Sequence, residues 1–341
     1  MKGKIIVTGG CGYIGSHTIT EMIEHTDYDV VSIDNNCNSS IKAMSRIEEI
    51  TGKEVKNYVV DLCDDNAARK AFEENKDAVA VIHFAALKAV GESVDIPLEY
   101  YRNNLNSLSN VLKFTNEFGI KNLIFSSSCS LYGDVDQLPV SEQTPLNLPE
   151  SPYANTKKIG EEIIKDYVKV SNINAISLRY FNPVGAHASG KMGEDPINKP
   201  NNLVPIVTGV ASGKMEKLTV FGDDYNTKDG SCVRDYIHVT DIAKAHVEAV
   251  SYLLAGKQKQ GYDVFNLGTG NGVTVLELIK AFEKTTGVSL NYEIGPRRAG
   301  DVVAVYSDNT KVSKYLGWKP ERGIDNMMES AWKWQQYVNK E

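Results

Sequence analysis

Tyr153 and Lys157 lie four residues apart in the segment 151–157, which has the sequence SPYANTK. Pro152 suits the first turn of a helix, where its missing N–H is not needed. A helix that begins there places the phenol and the ammonium group on one face, although the same spacing is also typical of a solvated helix face. A phenol beside an ammonium group can become a general base, so the pair predicts proton transfer with a hydroxyl group of a substrate.

The pKa of the Tyr153 phenol must fall if it is to act near neutral pH. Free tyrosine has a pKa of about 10, and reaching about 7 requires roughly 4 kcal/mol of selective stabilisation of the phenolate. A solvated lysine does not supply this, whereas a lysine together with a second fixed positive charge in a dry cleft can. We predict that the second charge is the nicotinamide of bound NAD⁺.

A glycine-rich loop near the start of the chain could position such a cofactor. Residues 4–8 form a β-branched run typical of a buried parallel strand, and a helix-like segment follows. Gly9, Gly12 and Gly15 lie between them, where glycine lets the backbone turn tightly and approach a pyrophosphate. The first N–H groups of the helix would point at the phosphates. A purely structural strand–helix turn is the alternative.

Asp34 ends the second predicted strand and lies 19 residues after Gly15. A carboxylate at this position accepts hydrogen bonds from the hydroxyl groups of the adenosine ribose. It also repels a 2′-phosphate, and no arginine follows directly, so NAD is favoured over NADP. A simple turn residue is the alternative for Asp34. The polar loop that follows contributes Asn35, Asn36, Cys37, Asn38 and Ser39 to the predicted cofactor site.

Further candidate cofactor contacts follow the third and fourth predicted strands, residues 56–60 and 78–84. The carboxyl ends of parallel strands meet at the ligand crevice. An acid there can bind the adenine amino group, and small side chains leave room for the pyrophosphate and ribose. A solvated lysine is an equal alternative for Lys88. The predicted contacts are Asp61, Leu62, Phe84, Ala85, Ala86, Leu87, Lys88 and, on a helix over 97–117, Asn103.

The fifth predicted strand, residues 121–125, runs into three serines, of which Ser128 lies 25 residues before Tyr153. Serine hydroxyls that leave a buried strand at the crevice indicate contact with a substrate, with a serine-rich turn as the alternative. Residues 174–180 form a sixth strand. Strands that alternate with helices predict an α/β fold with a doubly wound parallel sheet of the Rossmann type.

The pattern becomes less regular after residue 186. We therefore predict an NAD-binding domain over 1–186 and a smaller, mixed α/β lobe over 187–341 that mainly binds the substrate. Some segments of the second part can return to the first domain.

Composition excludes several classes of protein. The net charge of −7 over 341 residues argues against a general nucleic-acid binder. No apolar run of about 18 residues and no signal-peptide pattern is found, so we predict a cytoplasmic protein with no membrane contact. The five cysteines include no Cys-x-x-Cys pair and the six histidines show no ligand spacing, which predicts reduced thiols and no metal.

Four motifs identify the chain as a member of the extended short-chain dehydrogenase/reductase family. They are VTGGCGYIGSH at 7–17, FAALKAVGES at 84–93, RYFNPVGAH at 179–187 and VRDYIHV at 233–239. They resemble most closely the branch that epimerises UDP-hexoses. The resemblance implies tightly bound NAD, a UDP-sugar substrate, a homodimer, and reversible inversion at C4 of UDP-glucose and UDP-galactose through a transient 4-keto sugar.

The resemblance also implies roles for individual positions. Tyr153 matches the base, Lys157 its partner and Ser128 the hydroxyl that binds the substrate. Tyr13, Ile14 and Phe181 join the cofactor contacts. Arg234 and Arg298 would clamp the diphosphate, and Phe221 would pack on uracil. A structural salt bridge is the alternative role for each arginine. The positions that match the nucleotide-sugar site are Asn182, Asn202, Leu203, Phe221, Arg234, Arg298, Asp301 and Val305.

One position departs from part of the family. Some members carry a bulky tyrosine near the hexose that restricts them to unacetylated sugars, and Val305 matches that position. The smaller side chain predicts that UDP-GlcNAc and UDP-GalNAc are also accepted. A core valine without influence on the sugar is the alternative.

Related activities remain as alternatives. Nucleotide-sugar 4,6-dehydratases and UDP-glucuronate decarboxylases of this family use an acid just after the serine or threonine of the fifth strand, whereas Cys129 and Ser130 stand there in this chain. The resemblance therefore favours C4 epimerisation over a 4,6-dehydratase, and an epimerase of UDP-glucuronate stays an open alternative. The intact set of Ser128, Tyr153 and Lys157 argues against a non-catalytic NAD sensor.

Overall fold

A computed structural model describes residues 3–135, 137–197, 200, 202–298 and 301–341. Its strands are β1 (Lys4–Thr8), β2 (Asp29–Ile33), β3 (Asn57–Tyr58), β4 (Ala78–His83), β5 (Asn122–Ser128), β6 (Asn174–Tyr180), β7 (Asn182–Val184), β8 (Leu218–Phe221), β9 (Val233–Arg234), β10 (Tyr236–His238), β11 (Tyr262–Leu267), β12 (Val273–Thr274), β13 (Tyr292–Gly295) and β14 (Ala304–Val305).

The helices alternate with these strands through the first half of the chain. They are α1 (Tyr13–His25), α2 (Lys42–Thr51), α3 (Asp65–Glu73), α4 (Val90–Asp95), α5 (Pro97–Glu117), α6 (Pro152–Tyr167), α7 (Leu203–Ala211), α8 (Val239–Leu254), α9 (Val275–Thr286), α10 (Thr310–Leu316) and α11 (Ile324–Val338). No helix within the described residues is both long and apolar enough to cross a membrane.

The main sheet is parallel and has the strand order β11-β6-β5-β4-β1-β2-β3 in the described part of the chain. Successive side chains of a strand point to opposite sides, so the strands present apolar side chains on both faces of the sheet. Helices cover both faces. Ile5 packs in one core with residues of α1, α2 and α8, and Ile6 packs in a second core with residues of α3, α5 and α6. The predicted doubly wound Rossmann sheet is confirmed.

The later part of the chain builds a smaller mixed lobe, as predicted. The parallel pair β8 and β13 and the three-stranded group β12-β9-β14 belong to it. Its own apolar core joins α7, α9 and α11 through residues such as Val207, Phe282 and Met328. β11 lies in the main sheet, paired with β6, and α8 packs on α1. Two elements after residue 187 therefore pack with the first part of the chain, and the domain boundary at 186/187 stays a prediction.

Two strands differ in length from the sequence prediction by more than one residue, whereas β2 and β4 each end one residue earlier than predicted. β3 is limited to Asn57–Tyr58, shorter than the predicted 56–60. β5 continues through Ser128, although the apolar run ends at Phe125. The backbone of Ser126–Ser128 stays in the sheet because it pairs with β6, in the register Ser126↔Leu178, Ser127↔Arg179 and Ser128↔Tyr180. The three serines are therefore held by strand pairing instead of lying in a turn.

Candidate active site

The loop after β1 and the first turn of α1 are packed so tightly that one glycine in each leaves no space for a side chain. Gly9 has a φ of +71°, and a Cβ atom there would lie 2.7 Å from the backbone nitrogen of Ala85. A Cβ atom on Gly15 would lie 2.2 Å from the carbonyl oxygen of Gly9. Gly12 caps α1 without a side chain, so the first N–H groups of that helix face the cleft and form a site suited to an anion.

Asp34 joins this loop to the segment after β2. Its carboxylate accepts hydrogen bonds from the backbone N–H of Cys11 at 3.0 Å, from the backbone N–H of Asn36 at 2.9 Å and from the hydroxyl of Ser39 at 2.8 Å. A carboxylate has about four acceptor sites, so capacity remains for a hydroxyl group of a ligand. The structure places Asp34 at the predicted end of the crevice.

A cavity of about 400 Å³ runs along the carboxyl ends of the main-sheet strands. Most of the predicted cofactor residues line it together with Asn182 and Asn202, whereas Asn36 does not. The predicted residues that it brings together are Gly9, Gly12, Tyr13, Ile14, Gly15, Asp34, Asn35, Cys37, Asn38, Ser39, Asp61, Leu62, Phe84, Ala85, Ala86, Leu87, Lys88, Asn103, Ser128, Tyr153, Lys157 and Phe181.

Tyr153 and Lys157 reach the cavity from the first two turns of α6. The hydroxyl of Ser151 caps this helix by accepting from the backbone N–H of Ala154, and Pro152 occupies its first turn. The Lys157 Nζ donates to the carbonyl oxygen of Ser126 at 2.7 Å and lies 5.9 Å from the centre of the Tyr153 ring. The predicted amine therefore lies beside the predicted base.

Burial works against ionisation of both groups. It raises the pKa of Tyr153 to about 12, although a hydrogen bond with Ser128 acts in the opposite direction. It lowers the pKa of Lys157 to about 7, and the nearby Glu161 carboxylate acts in the opposite direction. The groups of the protein alone thus do not hold Tyr153 as a phenolate at neutral pH. A further positive charge in the cleft is needed, which agrees with the predicted contribution of a nicotinamide.

The two predicted diphosphate-binding arginines converge on one carboxylate. Arg298 donates to Asp301 from Nε at 3.1 Å and from Nη2 at 2.8 Å, and Arg234 approaches the same carboxylate at 3.4 Å. The Arg298 guanidinium also lies 5.2 Å from the ring centre of Phe221, which is exposed. The Asp301 carboxylate thus lies between two guanidinium groups. An anionic ligand could bind the same two groups, either beside Asp301 or in its place.

The other predicted sugar-site residues lie apart from the cavity lining. Leu203 is the first residue of α7, which begins directly after Asn202. Val305 is 6% exposed and packs in an apolar cluster with Tyr132, Val140 and Phe181. Phe181 itself lines the cavity, so Val305 lies one residue behind its wall. Leu203, Phe221, Arg234, Arg298, Asp301 and Val305 do not line the cavity.

Residues 192–196, which we call the cover segment, also line the cavity and were not predicted to do so. The Glu194 carboxylate accepts from the Lys88 Nζ at 3.1 Å and from the Asn202 amide at 2.8 Å. The Glu194 backbone carbonyl accepts from the Trp334 indole at 2.9 Å. Glu194 thereby connects a predicted cofactor contact with a predicted substrate contact, and no local sequence signal beyond a loop-rich composition pointed to it.

Arg46 on α2 is a second cavity residue that the sequence did not reveal. It is buried, donates to the Asp195 carboxylate at 3.2 Å and lies 4.6 Å from the ring centre of Trp334. Its partners come from distant parts of the chain, so only the fold shows that it anchors the cover segment.

Potential metal ligands gather elsewhere. Among the described residues, Glu21, Glu24 and His25 bring ligand atoms within 4.8 Å of one another, outside the cavity. The predicted absence of a metal stays a prediction.

Comparison with known proteins places these features in a family. A family model described as GDP-mannose 4,6 dehydratase matches residues 6–331. The UDP-glucose 4-epimerase of Bacillus subtilis (strain 168) is 48% identical over 332 residues, which cover 97% of this chain and 96% of the relative.

Solved structures agree with the sequence relatives. The UDP-glucose 4-epimerase of Bifidobacterium longum, in complex with NAD⁺ and UDP, has a TM-score of 0.94 at 47% identity over 98% of this chain and 99% of that chain. The UDP-glucose-4-epimerase of Stenotrophomonas maltophila, with bound NAD and formylated UDP-arabinopyranose, has a TM-score of 0.95 at 41% identity over 99% of both chains. The chain therefore belongs to the UDP-glucose 4-epimerase family of the extended short-chain dehydrogenases/reductases.

Proposed function

We propose that this protein catalyses the reversible, NAD-dependent inversion at C4 of UDP-hexoses, with UDP-glucose and UDP-galactose as the first pair. The observation that carries the proposal is the convergence of Ser128, Tyr153 and Lys157 on the same cavity as the glycine loop. The high identity to UDP-glucose 4-epimerases over nearly the whole chain supports it.

The residues of the cleft fit a dinucleotide. Gly9, Gly12 and Gly15 line the cavity without side chains, so a pyrophosphate can approach the backbone there. Asp34 at the end of β2 retains acceptor capacity for a ribose diol. We infer that Gly9, Gly12 and the N-terminus of α1 hold the pyrophosphate and that Asp34 holds the adenosine ribose. NAD held in this way would supply a reversible acceptor for the hydride of C4.

The residues of the protein accept and return the proton of the C4 hydroxyl. Tyr153 takes the proton of the C4 hydroxyl, directly or through Ser128, and Lys157 stabilises the phenolate form that makes this possible. A 4-keto sugar results, which turns within the cleft and presents its opposite face. A hydride returned to C4 would then add to that opposite face and so invert the configuration at C4, while Tyr153 returns the proton to the C4 oxygen.

This mechanism requires tight binding of UDP and loose binding of the hexose. Arg234 and Arg298 would hold the diphosphate and Phe221 would pack on the uracil. All three residues belong to the smaller lobe, and none of them lines the cavity that Tyr153 lines. This supports a UDP anchor that is distinct from the reacting groups and leaves the sugar free to turn.

A 4,6-dehydratase is the second candidate, because the matching family model carries that description. Elimination of water requires an acid beside the strand-five hydroxyl, and Cys129 and Ser130 follow Ser128 here. Burial raises the pKa of the Cys129 thiol to about 12, so it is a poor proton donor at neutral pH.

Product analysis separates the two candidates. Purified protein is incubated with UDP-glucose and, separately, with UDP-N-acetylglucosamine, and the products are resolved by chromatography and mass spectrometry. We expect UDP-galactose from the first substrate with unchanged mass. A product lighter by one water would establish a dehydratase, and no turnover of any UDP-hexose would support a non-catalytic NAD sensor.

Acceptance of N-acetylated sugars is proposed from the small side chain at Val305. We expect UDP-N-acetylgalactosamine and UDP-galactose to be turned over with comparable kcat/KM. In the variant Val305→Tyr, the larger ring would press through Phe181 into the cavity, and we expect kcat/KM for the acetylated sugar to fall at least about tenfold more than for UDP-galactose. Equal losses for both sugars, or no turnover of the acetylated sugar by the wild type, would contradict the proposal.

The protein is proposed to form a homodimer and to act in the cytoplasm. Val94 on α4 and Leu98 in the first turn of α5 are 60% and 75% exposed, beside the helix α6 that carries Tyr153. Apolar side chains grouped in this way are typical of a protein interface. The free state of all five cysteines supports a reducing compartment.

Light scattering after size-exclusion chromatography tests the dimer. We expect a mass of two chains for the wild type and of one chain for Leu98→Glu, because the added charge would be buried without a partner. Leu148→Glu is the matched control, since Leu148 is equally apolar and is exposed elsewhere. A monomeric wild type, or a dimeric Leu98→Glu variant, would exclude this interface.

A further inference from the structure

The face of α6 that carries Tyr153 and Lys157 continues to Glu161. The three residues follow one another at intervals of four, so they lie along one side of the helix. Lys157 and Glu161 are only 4% and 6% exposed. Burying a charge is unfavourable without a partner. The packing of a helix alone therefore does not explain a buried carboxylate one turn from a buried amine.

The end of β5 binds this face residue by residue. The carbonyl oxygen of Ser126 accepts from Lys157, and the hydroxyl of Ser127 donates to the Glu161 Oε1 at 2.6 Å. Ser128 forms the hydrogen bond with Tyr153. Neighbouring residues of one strand thus fix the amine, the carboxylate and the phenol.

Arg179 completes the arrangement from β6. It is the strand partner of Ser127, and it donates to Glu161 through Nε at 2.9 Å and through Nη2 at 2.5 Å. Its third nitrogen, Nη1, donates to the Tyr132 hydroxyl at 2.9 Å. A two-point contact of this kind fixes the position and orientation of the carboxylate.

We propose that Glu161 is a positioning residue of the epimerisation: Ser127 and Arg179 hold its carboxylate where it keeps Lys157 charged beside Tyr153. The inference rests on the proposed function, in which Tyr153 acts as a base only next to a charged amine. It extends the functional pattern of α6 from Tyr-x-x-x-Lys to Tyr-x-x-x-Lys-x-x-x-Glu.

The other titratable groups around this face do not replace Glu161. Burial raises the pKa of the surrounding tyrosines and of Cys129, and it lowers the pKa of His83 to about 3, so these groups are neutral near pH 7. Glu92 is engaged by the Tyr100 hydroxyl at 2.6 Å. The groups on the packed elements are Glu92 (α4), Tyr100 (α5), His83 (β4), Cys129 and Tyr132 (after β5), Arg179 and Tyr180 (β6) and Tyr262 (β11).

Two opposite charge changes test the role of Glu161. The pH dependence of kcat is measured on NAD-loaded wild type, Glu161→Gln and Arg179→Gln with UDP-galactose. In Glu161→Gln the positive charge of Arg179 is no longer balanced, so Lys157 loses its proton at lower pH. We expect the alkaline limb of the profile to move down by at least about one pH unit. In Arg179→Gln the negative charge of the Glu161 carboxylate is no longer balanced, so Lys157 keeps its proton to a higher pH. The alkaline limb should therefore move to higher pH.

A purely structural role would give a different result. Both variants would then lose activity, but their alkaline limbs would stay in place or move in the same direction, and either outcome would overturn the proposal. If Glu161→Gln does not fold because it leaves a buried arginine unpaired, the double variant Glu161→Gln/Arg179→Gln is compared with Arg179→Gln. The difference between their limbs then measures the effect of the Glu161 carboxylate, and a difference of zero would overturn the proposal.

A measurement without turnover separates this inference from the proposed function. Ultraviolet difference titration of the NAD-loaded proteins, with Tyr153→Phe as the blank, reports the Tyr153 phenolate directly. We expect the phenolate signal of Glu161→Gln and Arg179→Gln to shift in opposite directions. A wild type that turns over no UDP-hexose would reject the function, whereas an active wild type with unshifted variants would reject the role of Glu161.

Discussion

Phenylalanine at position 153 is expected to lower kcat for UDP-galactose by about 10²–10⁴-fold, the usual effect of removing a general acid–base group. The variant keeps the aromatic ring in its place at the start of α6 and loses only the hydroxyl that receives the C4 proton. KM should change little, because the proposed UDP contacts lie on the smaller lobe. Bound NAD, measured in the supernatant after denaturation, should remain equal to that of the wild type.

Tyr101→Phe is the matched control for this experiment. The Tyr101 hydroxyl accepts a hydrogen bond from the Asn155 amide at 2.7 Å, so the same atom is removed next to the same helix. Tyr101 does not line the cavity, and loss of its hydroxyl should leave kcat within about threefold of the wild type because a single half-buried hydrogen bond outside the cavity contributes little. Near-normal turnover by Tyr153→Phe would remove the proposed base from the mechanism.

Alanine at position 15 is expected to abolish NAD binding and to lower the free energy of unfolding by about 1–3 kcal/mol. The added Cβ would lie 2.2 Å from the carbonyl oxygen of Gly9 and 3.0 Å from the Cα of Gly10. Both are backbone atoms, so α1 must move away from the loop. That movement separates the helix N-terminus from the phosphate site. Urea unfolding and the NAD content of the purified protein measure the two effects.

Gly91→Ala provides the comparison. Gly91 lies in α4, and a Cβ atom there would meet nothing within 4 Å. Alanine is the better helix former, so this variant should match or slightly exceed the wild type in stability and should bind NAD normally. If Gly15→Ala also kept its NAD, close packing of the loop would not be the reason for glycine at that position.

Local patterns were enough to predict that the proposed reacting groups lie together and that most of the predicted cofactor contacts share their cleft. Pro152 and the Ser151 cap define the start of α6, so the spacing of Tyr153 and Lys157 gave their common face directly. The glycine loop and Asp34 likewise depend on neighbours in the chain. Their joint position in one cavity follows from the rule that parallel strands present their carboxyl ends at one edge.

The parts that were missed depend on contacts between distant segments. Glu194 and Arg46 both contact Trp334 of α11, and nothing near them in the sequence specifies that partner. The location of β11 in the main sheet is also non-local, since its sequence resembles any short buried strand. The meeting of two arginines on Asp301 required the folded lobe, because Arg234 lies 67 residues from that carboxylate.

The pairing of β11 with β6 has a consequence for the synthesis of the protein on the ribosome. Residues 181–261 must be synthesised between these two strands. At about 5–20 residues per second, the β6 edge stays open on the ribosome for roughly 4–16 seconds. An open edge is a template for wrong partners. We therefore expect newly made protein to aggregate most readily when translation stalls before residue 262, while that edge is unpaired.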